Sequence, residues 1–204
     1  MKLTSNRIKF QQRTYNKATM KKNLRQFVSH STNFVSSSFW YFDENNWIEQ
    51  NSKGLEMFKA CGIFAALSPQ MSVPRNRDLF KFYLLHGTAN HYKTLVKKCN
   101  DIMKAKNEKE VIQILNGKKI TSFYLNLLHP NKETKVTIDR HAVSCLTQKP
   151  NKVYAINDKP LQMTNNQYNF FENVYKEVSY ELNVLPHELQ AIAWVSYRQL
   201  RNLN

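Results

Sequence analysis

The sequence predicts an all-α fold of about eight helices, and two observations support this expectation. Glycine is scarce, with 4 residues in a chain of 204, so few positions can adopt the positive φ angles that hairpin turns require. Apolar residues recur at helical spacing in several segments, whereas no segment has to be a strand. The glycines are also too far apart for a G-x-G-x-x-G or P-loop motif, which excludes dinucleotide and P-loop NTPase sites.

The individual helices follow from apolar patterns and from residues that end helices. Leu55–Leu67 is apolar nearly all round, as expected of a buried central helix, and Pro69 ends it. Asn107 and Glu110 resemble a capping box before a later helix. An apolar stripe from Tyr168 to Leu182 steps by three and four residues. The remaining helices are expected over Asn76–Leu85, Tyr92–Met103, Glu108–Leu115, Lys119–Leu128 and from Pro186 to Leu200.

The charge of the chain favours a polyanionic partner. It has 30 Lys and Arg against 15 Asp and Glu, a net charge of +15, and such side chains release counterions from a phosphate backbone. The alternative is that an AT-rich genome produces a Lys- and Asn-rich protein. Residues 1–42 hold no acidic side chain and are predicted to form a basic N-terminal arm, which either follows a phosphate backbone or is merely solvated. Residues 43–204 are predicted to form the helical domain.

Several classes of protein are disfavoured by what the sequence lacks. Its longest apolar stretch, Ala60–Val73, is too short to cross a bilayer, and the amino terminus has no signal-peptide pattern. The three cysteines, Cys61, Cys99 and Cys145, are too far apart for a Cys-x-x-Cys metal site and odd in number. We therefore expect a monomer in the reducing cytoplasm, without membrane contact, metal or cofactor.

Three polar segments contrast with this helical pattern. Leu115–Asn126 indicates a short helix, a break at Gly117 and a new helix, whose N–H groups form an anion site suited to a DNA phosphate. Val136–Ala142 places Asp139 after an apolar run, where it is expected to start a helix. Leu67–Gln70 forms a polar tip on the central helix.

In this order and spacing, the three segments resemble the helix-hairpin-helix superfamily of DNA glycosylases, and the chain also looks like its small phage-encoded members. Gly117–Lys119 is similar to the end of the family's hairpin, which puts Lys119 at the position of the lysine nucleophile. Ile138–His141 is similar to the Val-Asp-Thr-His stretch, which puts Asp139 on the catalytic aspartate. Leu67–Gln70 resembles the Leu-Ser-x-Gln loop, whose glutamine fills the space left by a flipped base.

The resemblance implies a two-lobed helical bundle with its hairpin region at about residues 108–128, acting on double-stranded DNA. Lys119 and Asp139 are the implied catalytic residues. The implied DNA-binding residues are Gln70, Asn116, Gly117, Lys118, Arg140 and His141. The chain departs from the family's Leu-Pro-Gly-x-Gly hairpin, since it has no proline and one glycine there. It also lacks four clustered cysteines, so no iron–sulfur cluster is expected.

The chemistry suits these residue types. Cleavage of an N-glycosidic bond builds positive charge on the sugar, which a carboxylate such as Asp139 stabilises, or the carboxylate deprotonates the attacking group. The adjacent Lys118 and the start of a helix both disfavour the cationic form of Lys119. Attack by this amine gives a Schiff base and allows β-elimination, the lyase reaction. Attack by water instead gives a monofunctional glycosylase.

Simpler interpretations stay open for each residue, and two other functions compete. Asp139 serves equally as an N-cap, the lysines as solvated charges, Gln70 as a cap of the preceding helix and His141 as a structural histidine. A base-hypermodification enzyme of the phage type would use the same fold and leave the glycosidic bond whole. A non-catalytic basic DNA-binding protein would use the hairpin only to grip phosphate. The order and spacing of the three segments favour the glycosylase.

Overall fold

A computed structural model describes residues 6–89, 93–132, 135–152 and 161–202. Within these ranges the chain forms eleven α-helices and one two-stranded antiparallel sheet. The elements are β1 Arg7–Phe10, β2 Arg13–Asn16, α1 Lys17–Ser29, α2 Phe34–Ser38, α3 Trp40–Asn51, α4 Met57–Leu67, α5 Val73–His86, α6 Lys93–Lys104, α7 Glu108–Leu115, α8 Lys118–Leu128, α9 Arg140–Thr147, α10 Asn165–Glu181 and α11 Pro186–Leu200. The all-α fold class is confirmed, whereas the helix-hairpin-helix type stays a prediction.

Most of the expected helices are present within a few residues of their predicted ends. The central helix begins two residues later than expected, at Met57, and every residue from Ala60 to Leu67 is buried. The left-handed Gly87, with a φ of 66°, ends α5. Tyr92, the expected first residue of the next helix, lies outside the described residues. The described part of the structure has three helices more than the expected eight, because α1 and α2 form within the predicted basic arm and α3 extends from its end to residue 51.

The hairpin of β1 and β2 corrects the expectation that no segment has to be a strand. Glycine scarcity argues against hairpins only if glycine is needed in the turn. Here Gln11 and Gln12 adopt the positive φ angles, 45° and 63°. Burial of Phe10, with partly buried Ile8 and Tyr15 beside it, holds the hairpin on the core.

The chain divides into two compact units. The first unit contains both ends of the chain, Met1–Trp40 and Lys132–Asn204, and the second contains Tyr41–Asn131. The two lobes that the resemblance implies and the predicted boundary at residue 42 stay predictions. The predicted basic arm is part of the first unit, because α1 buries Met20, Leu24 and Phe27 in its core. Residues 1–5 of that arm lie outside the described residues.

Ion pairs attach α1 to α10 in the first unit. Lys17 Nζ lies 2.6 Å from Glu177, and Lys21 Nζ lies 2.6 Å from Glu181. Arg25 also donates to Glu181. Burial by itself raises the pKa of Glu177, but hydrogen bonds from both lysines outweigh it and the pKa is lowered. The Lys21 and Arg25 hydrogen bonds also lower the pKa of Glu181. Three cations of the N-terminal segment are therefore engaged within the fold.

Close helix packing defines the second unit. Its central helix α4 is apolar on all sides and packs against α5, α6, α7 and α8. A Cβ atom placed on Gly62 would lie 2.7 Å from Cγ1 of Val111 and 3.2 Å from Cγ2 of Ile102. The glycine is therefore required by the approach of α6 and α7, which lead to the polar break before α8.

Candidate active site

Asp139 begins α9 as its N-cap. Its Oδ1 accepts a hydrogen bond from the backbone N–H of Ala142 at 2.7 Å, and the residue is half-buried. The predicted helix start is thus confirmed, and so is the capping role given as its simpler interpretation. Capping occupies one of the two carboxylate oxygens, so it does not exclude chemistry at this group. The hydrogen bond fixes the orientation of the carboxylate at the end of the helix.

The extended segment before Asp139 is held by two side chains from α10. The Tyr168 hydroxyl donates to the carbonyl of Val136 at 2.8 Å and accepts from the N–H of Ile138 at 3.2 Å. Glu172 Oε1 accepts from the N–H of Val136 at 3.2 Å. We call Tyr168 and Glu172 the α10 clamp. Because the clamped segment leads directly into Asp139, the clamp determines where that carboxylate lies.

The sequence reasoning missed the α10 clamp. The sequence pattern places Tyr168 in the apolar stripe of its helix and predicts no role for Glu172. A signal was available, since the two residues are four apart and therefore share one face of the helix. A buried glutamate on an apolar face needs polar partners, and here the backbone N–H of Val136 is one of them.

Two further titratable groups lie near Asp139 in the core of the first unit. The Tyr175 hydroxyl donates to the carbonyl of Ala142 at 3.0 Å, and Cys145 Sγ lies 3.5 Å from the carbonyl of Ala193. Burial raises the pKa of both groups well above their ordinary values, and the negative charge of Asp139 raises them further. Both groups stay protonated at neutral pH, which excludes Cys145 as a thiolate nucleophile.

Arg140 and His141 follow Asp139 in the first turn of α9. Arg140 is exposed and is thus accessible to a ligand. His141 is half-buried, and its ring centroid lies 5.2 Å from that of Tyr197. This packing favours the structural interpretation of the histidine over a direct DNA contact.

The polar break between α7 and α8 contains the predicted hairpin residues. Asn116 has a φ of 44° and Gly117 a φ of 143°, a value that L side chains rarely adopt. Gly117 is the N-cap of α8, which begins one residue earlier than expected, at Lys118. A glycine N-cap has no side chain to accept the first N–H groups of the helix. Lys118 and Lys119 are both exposed in this first turn, so the turn carries two cationic side chains at the surface.

Gln70 lies in a tight turn after α4. The N–H of Met71 donates to the carbonyl of Ser68 at 3.0 Å, and Gln70 has a φ of 63°. At the end of α4 the hydroxyl of Ser68 donates a hydrogen bond to the carbonyl of Ala65 at 2.8 Å. The capping role offered as the simpler interpretation of Gln70 therefore falls to Ser68. Gln70 is exposed, and its positive φ is strained for a side chain with a Cβ.

The predicted site residues are distributed over both units. Gln70 and the stretch Asn116–Lys119 belong to the second unit, and Asp139–His141 to the first. Each group lies at the end of a helix. Within each unit the residues are held by local contacts, and the pairing of Lys119 with Asp139 stays a prediction.

Charge is positive in both units. The first unit contains seventeen Lys and Arg against seven Asp and Glu, and the second contains thirteen against eight. Among the described residues, no three His, Cys, Asp or Glu side chains are grouped as metal ligands would be. The described helices include none with both the length and the apolar character needed to cross a membrane.

Comparison with known protein families gives a match over nearly the whole chain. Residues 7–201 match a family described as a family of unknown function, DUF7178. Neither a curated protein nor a solved structure shows significant similarity to the chain. Since the match extends over nearly the whole sequence, the chain belongs to the DUF7178 family.

Proposed function

We propose that the chain is a DNA glycosylase, which flips a modified or damaged base out of duplex DNA and cleaves its N-glycosidic bond. The observation that carries this proposal is the arrangement around Asp139. Its carboxylate is held by the N–H of Ala142, after a buried segment that the α10 clamp holds in place. A carboxylate fixed in this way, on a strongly basic helical protein, suits a reaction that develops positive charge on a sugar.

Asp139 supplies the electrostatic part of the reaction. As the glycosidic bond breaks, the sugar becomes cationic, and a nearby carboxylate stabilises it more than it stabilises the neutral substrate. The cap bond and the clamped segment fix the group before the substrate arrives, so little reorganisation is needed during the reaction. Asp139 also serves as the base that takes a proton from the attacking water or amine.

Lys119 supplies the nucleophile in the bifunctional form of the reaction. The neutral amine attacks C1′, the bond to the base breaks, and the base leaves with the bonding electron pair and takes up a proton. The resulting Schiff base permits β-elimination and strand cleavage. Where water attacks instead, the base is still released but the strand stays intact, and Lys119 then binds phosphate.

The polar break before α8 and the turn at Gln70 are proposed to bind the DNA. The start of α8 at Gly117, with exposed lysines in its first turn, suits a backbone phosphate. Gln70 stands in a strained conformation at an exposed tip, as expected of a residue retained for contact with a ligand rather than for stability. Its amide is proposed to fill the space of the flipped base and to offset part of the unstacking cost.

The cellular context follows from the same proposal. We propose that the protein acts as a monomer inside the cell, where DNA is the substrate. Its cysteines, Cys61, Cys99 and Cys145, are all free and buried, which suits a reducing compartment.

The test uses duplex oligonucleotides carrying a panel of modified bases. Free base is quantified by mass spectrometry, and borohydride trapping detects a covalent intermediate. We expect wild-type protein to release a base and Asp139→Asn to release it at least about a hundredfold more slowly. Lys119→Ala is expected to abolish trapping, whereas the matched neighbour Lys118→Ala retains it.

Other results would contradict the proposal. A mass change on the nucleoside with its glycosidic bond whole would identify a base-hypermodification enzyme. Salt-dependent DNA binding without any base release, unchanged or strengthened by Asp139→Asn, would identify a non-catalytic binding protein.

A further inference from the structure

The turn between β1 and β2 contains two residues that rarely adopt its backbone conformation. The strands pair with Phe10 opposite Arg13, which leaves a two-residue loop, Gln11-Gln12. Both glutamines have positive φ, 45° and 63°, the arrangement of a type I′ turn, in which Asn-Gly is strongly preferred. Each Cβ makes this conformation unfavourable. The turn is therefore less stable than one with Asn-Gly at these two positions.

Both glutamine side chains are exposed, so burial does not explain them. Strained residues persist where their side chains serve a purpose that outweighs the loss of stability. Each glutamine carries a hydrogen-bond donor and acceptor in one amide group. The tip of the hairpin therefore presents two adjacent amides to a ligand.

The hairpin of β1 and β2 packs against the core of the first unit. Phe10 is buried, and its ring contacts that of Phe171 edge-on with centroids 5.3 Å apart. Gln167 Nε2 donates to the carbonyl of Lys9 at 2.8 Å. Ile8 and Tyr15, on the same face as Phe10, pack against the core. This anchoring holds the tip in a defined position.

The opposite face of the hairpin is basic. Arg7 and Lys9 lie on it and are exposed, and Arg13 is exposed beside the tip. The hairpin contains no acidic residue, and the sequence has none before Asp43. The neighbouring cations of α1 pair with glutamates of α10. Within the described part of the N-terminal segment, the hairpin therefore concentrates exposed cations beside two amides.

We propose that this hairpin is a second DNA-binding element, whose tip enters the major groove of duplex DNA. The major groove is wide enough for a two-stranded β-ribbon, and a glutamine amide matches the donor and acceptor on the major-groove edge of adenine. Gln11 and Gln12 contact base edges, and Arg7 and Lys9 contact phosphates. The inference rests on the proposed function only in that the partner is DNA.

The test replaces the turn with the sequence that its backbone prefers. The double variant Gln11→Asn, Gln12→Gly relieves the strain, shortens the first amide side chain and removes the second, so Tm is expected to rise by about 2–4 °C. Affinity for an unmodified 20-base-pair duplex, measured by fluorescence anisotropy, is expected to fall about tenfold. Asn183→Gly is the control, since Asn183 also has a positive φ, 52°, but lies between α10 and α11. It should leave affinity within about twofold.

The basic face is tested by salt dependence. Lys9→Gln is expected to reduce the slope of log affinity against log salt by about one, the loss of one phosphate contact. A turn variant that binds the duplex as tightly as wild type would overturn the hairpin proposal, and continued base release would leave the proposed function standing. Wild-type protein that fails to bind duplex DNA at low salt would overturn both.

Discussion

Asp139 is a helix cap in the structure and a catalytic carboxylate in the proposal, and two substitutions separate these roles. Asparagine keeps an oxygen for the N–H of Ala142, which lies 2.7 Å from Oδ1, and removes the negative charge. Alanine removes both the cap and the charge. The two variants therefore differ in stability for a reason that is independent of catalysis.

The expected magnitudes follow from the single cap bond. Asn and Asp are equally good N-caps, so Asp139→Asn loses only the interaction of charge with the helix dipole, about 0.3–1 kcal/mol. Asp139→Ala additionally loses the cap, about 0.5–2 kcal/mol. For a chain of this size, each kcal/mol lowers Tm by about 2–4 °C. Asp139→Asn should therefore stay within about 4 °C of wild type, and Asp139→Ala should be less stable than Asp139→Asn.

Calorimetry and single-turnover base release measure the two roles on the same preparations. We expect Asp139→Asn to fold normally and to lose at least about a hundredfold in release rate, while Asp139→Ala loses both stability and release. Normal release by Asp139→Asn would refute the catalytic role and leave only the cap. A large loss of stability in Asp139→Asn would refute the reasoning about the cap bond.

Three further predictions concern the framework. Gly62→Ala is expected to lower the free energy of unfolding by about 1–3 kcal/mol through overpacking, and adding Val111→Ala should restore part of that loss. Denaturant unfolding that finds Gly62→Ala as stable as wild type would contradict the close approach of Val111 to Gly62. Tyr168→Phe breaks the α10 clamp and should cost about 1–3 kcal/mol in unfolding free energy and slow base release, whereas wild-type values of both would show that the clamp does not position Asp139. The lowered pKa values of Glu177 and Glu181 mean that the stability they contribute is present above their ordinary pKa of 4.5 and is lost as pH falls through the folded-state values. Replacing both with Gln should therefore lower Tm at pH 6 and flatten its decline between about pH 5 and 3, and an unchanged pH profile of Tm would contradict this.

The helices could be predicted because their signals are local. Apolar residues on all sides marked α4, the three-and-four spacing marked α10, and Asn107 does cap α7 through the N–H of Glu110 at 3.1 Å. One half of that capping box was wrong, since the Glu110 carboxylate accepts from the N–H of Lys106 instead. Local patterns predict where a helix starts. They do not predict which backbone N–H group the Glu110 carboxylate accepts from, since that depends on the conformation of the residues before the helix.

The division into units could not be predicted from local patterns. The first unit joins the two ends of the chain, and the contacts that place α1 there link Lys17 to Glu177, 160 residues apart in sequence. A run of basic residues therefore predicts an arm that either follows a phosphate backbone or is solvated, although Leu24 and Phe27 mark an apolar face. The hairpin was missed for a related reason, since tertiary packing of Phe10 compensates for a turn without glycine.

The candidate site was predicted in part. Asp139 was expected at a helix start and Gly117 at a helix break, because capping and glycine signals act over a few residues. The clamp was not expected, since Tyr168 contacts backbone groups of Val136 and Ile138 from a distant part of the chain. Sequence patterns find the group that starts a helix more readily than the groups that orient it.

The central claim is that this protein breaks the bond between a base and its sugar. Mass spectrometry of duplex DNA incubated with wild-type protein and with Asp139→Asn tests it most directly, because it detects free base and altered nucleosides in one sample. We predict free base with the wild-type protein and at least about a hundredfold less with the variant. Equal amounts of free base from both proteins, or none from any modified duplex, would contradict the claim.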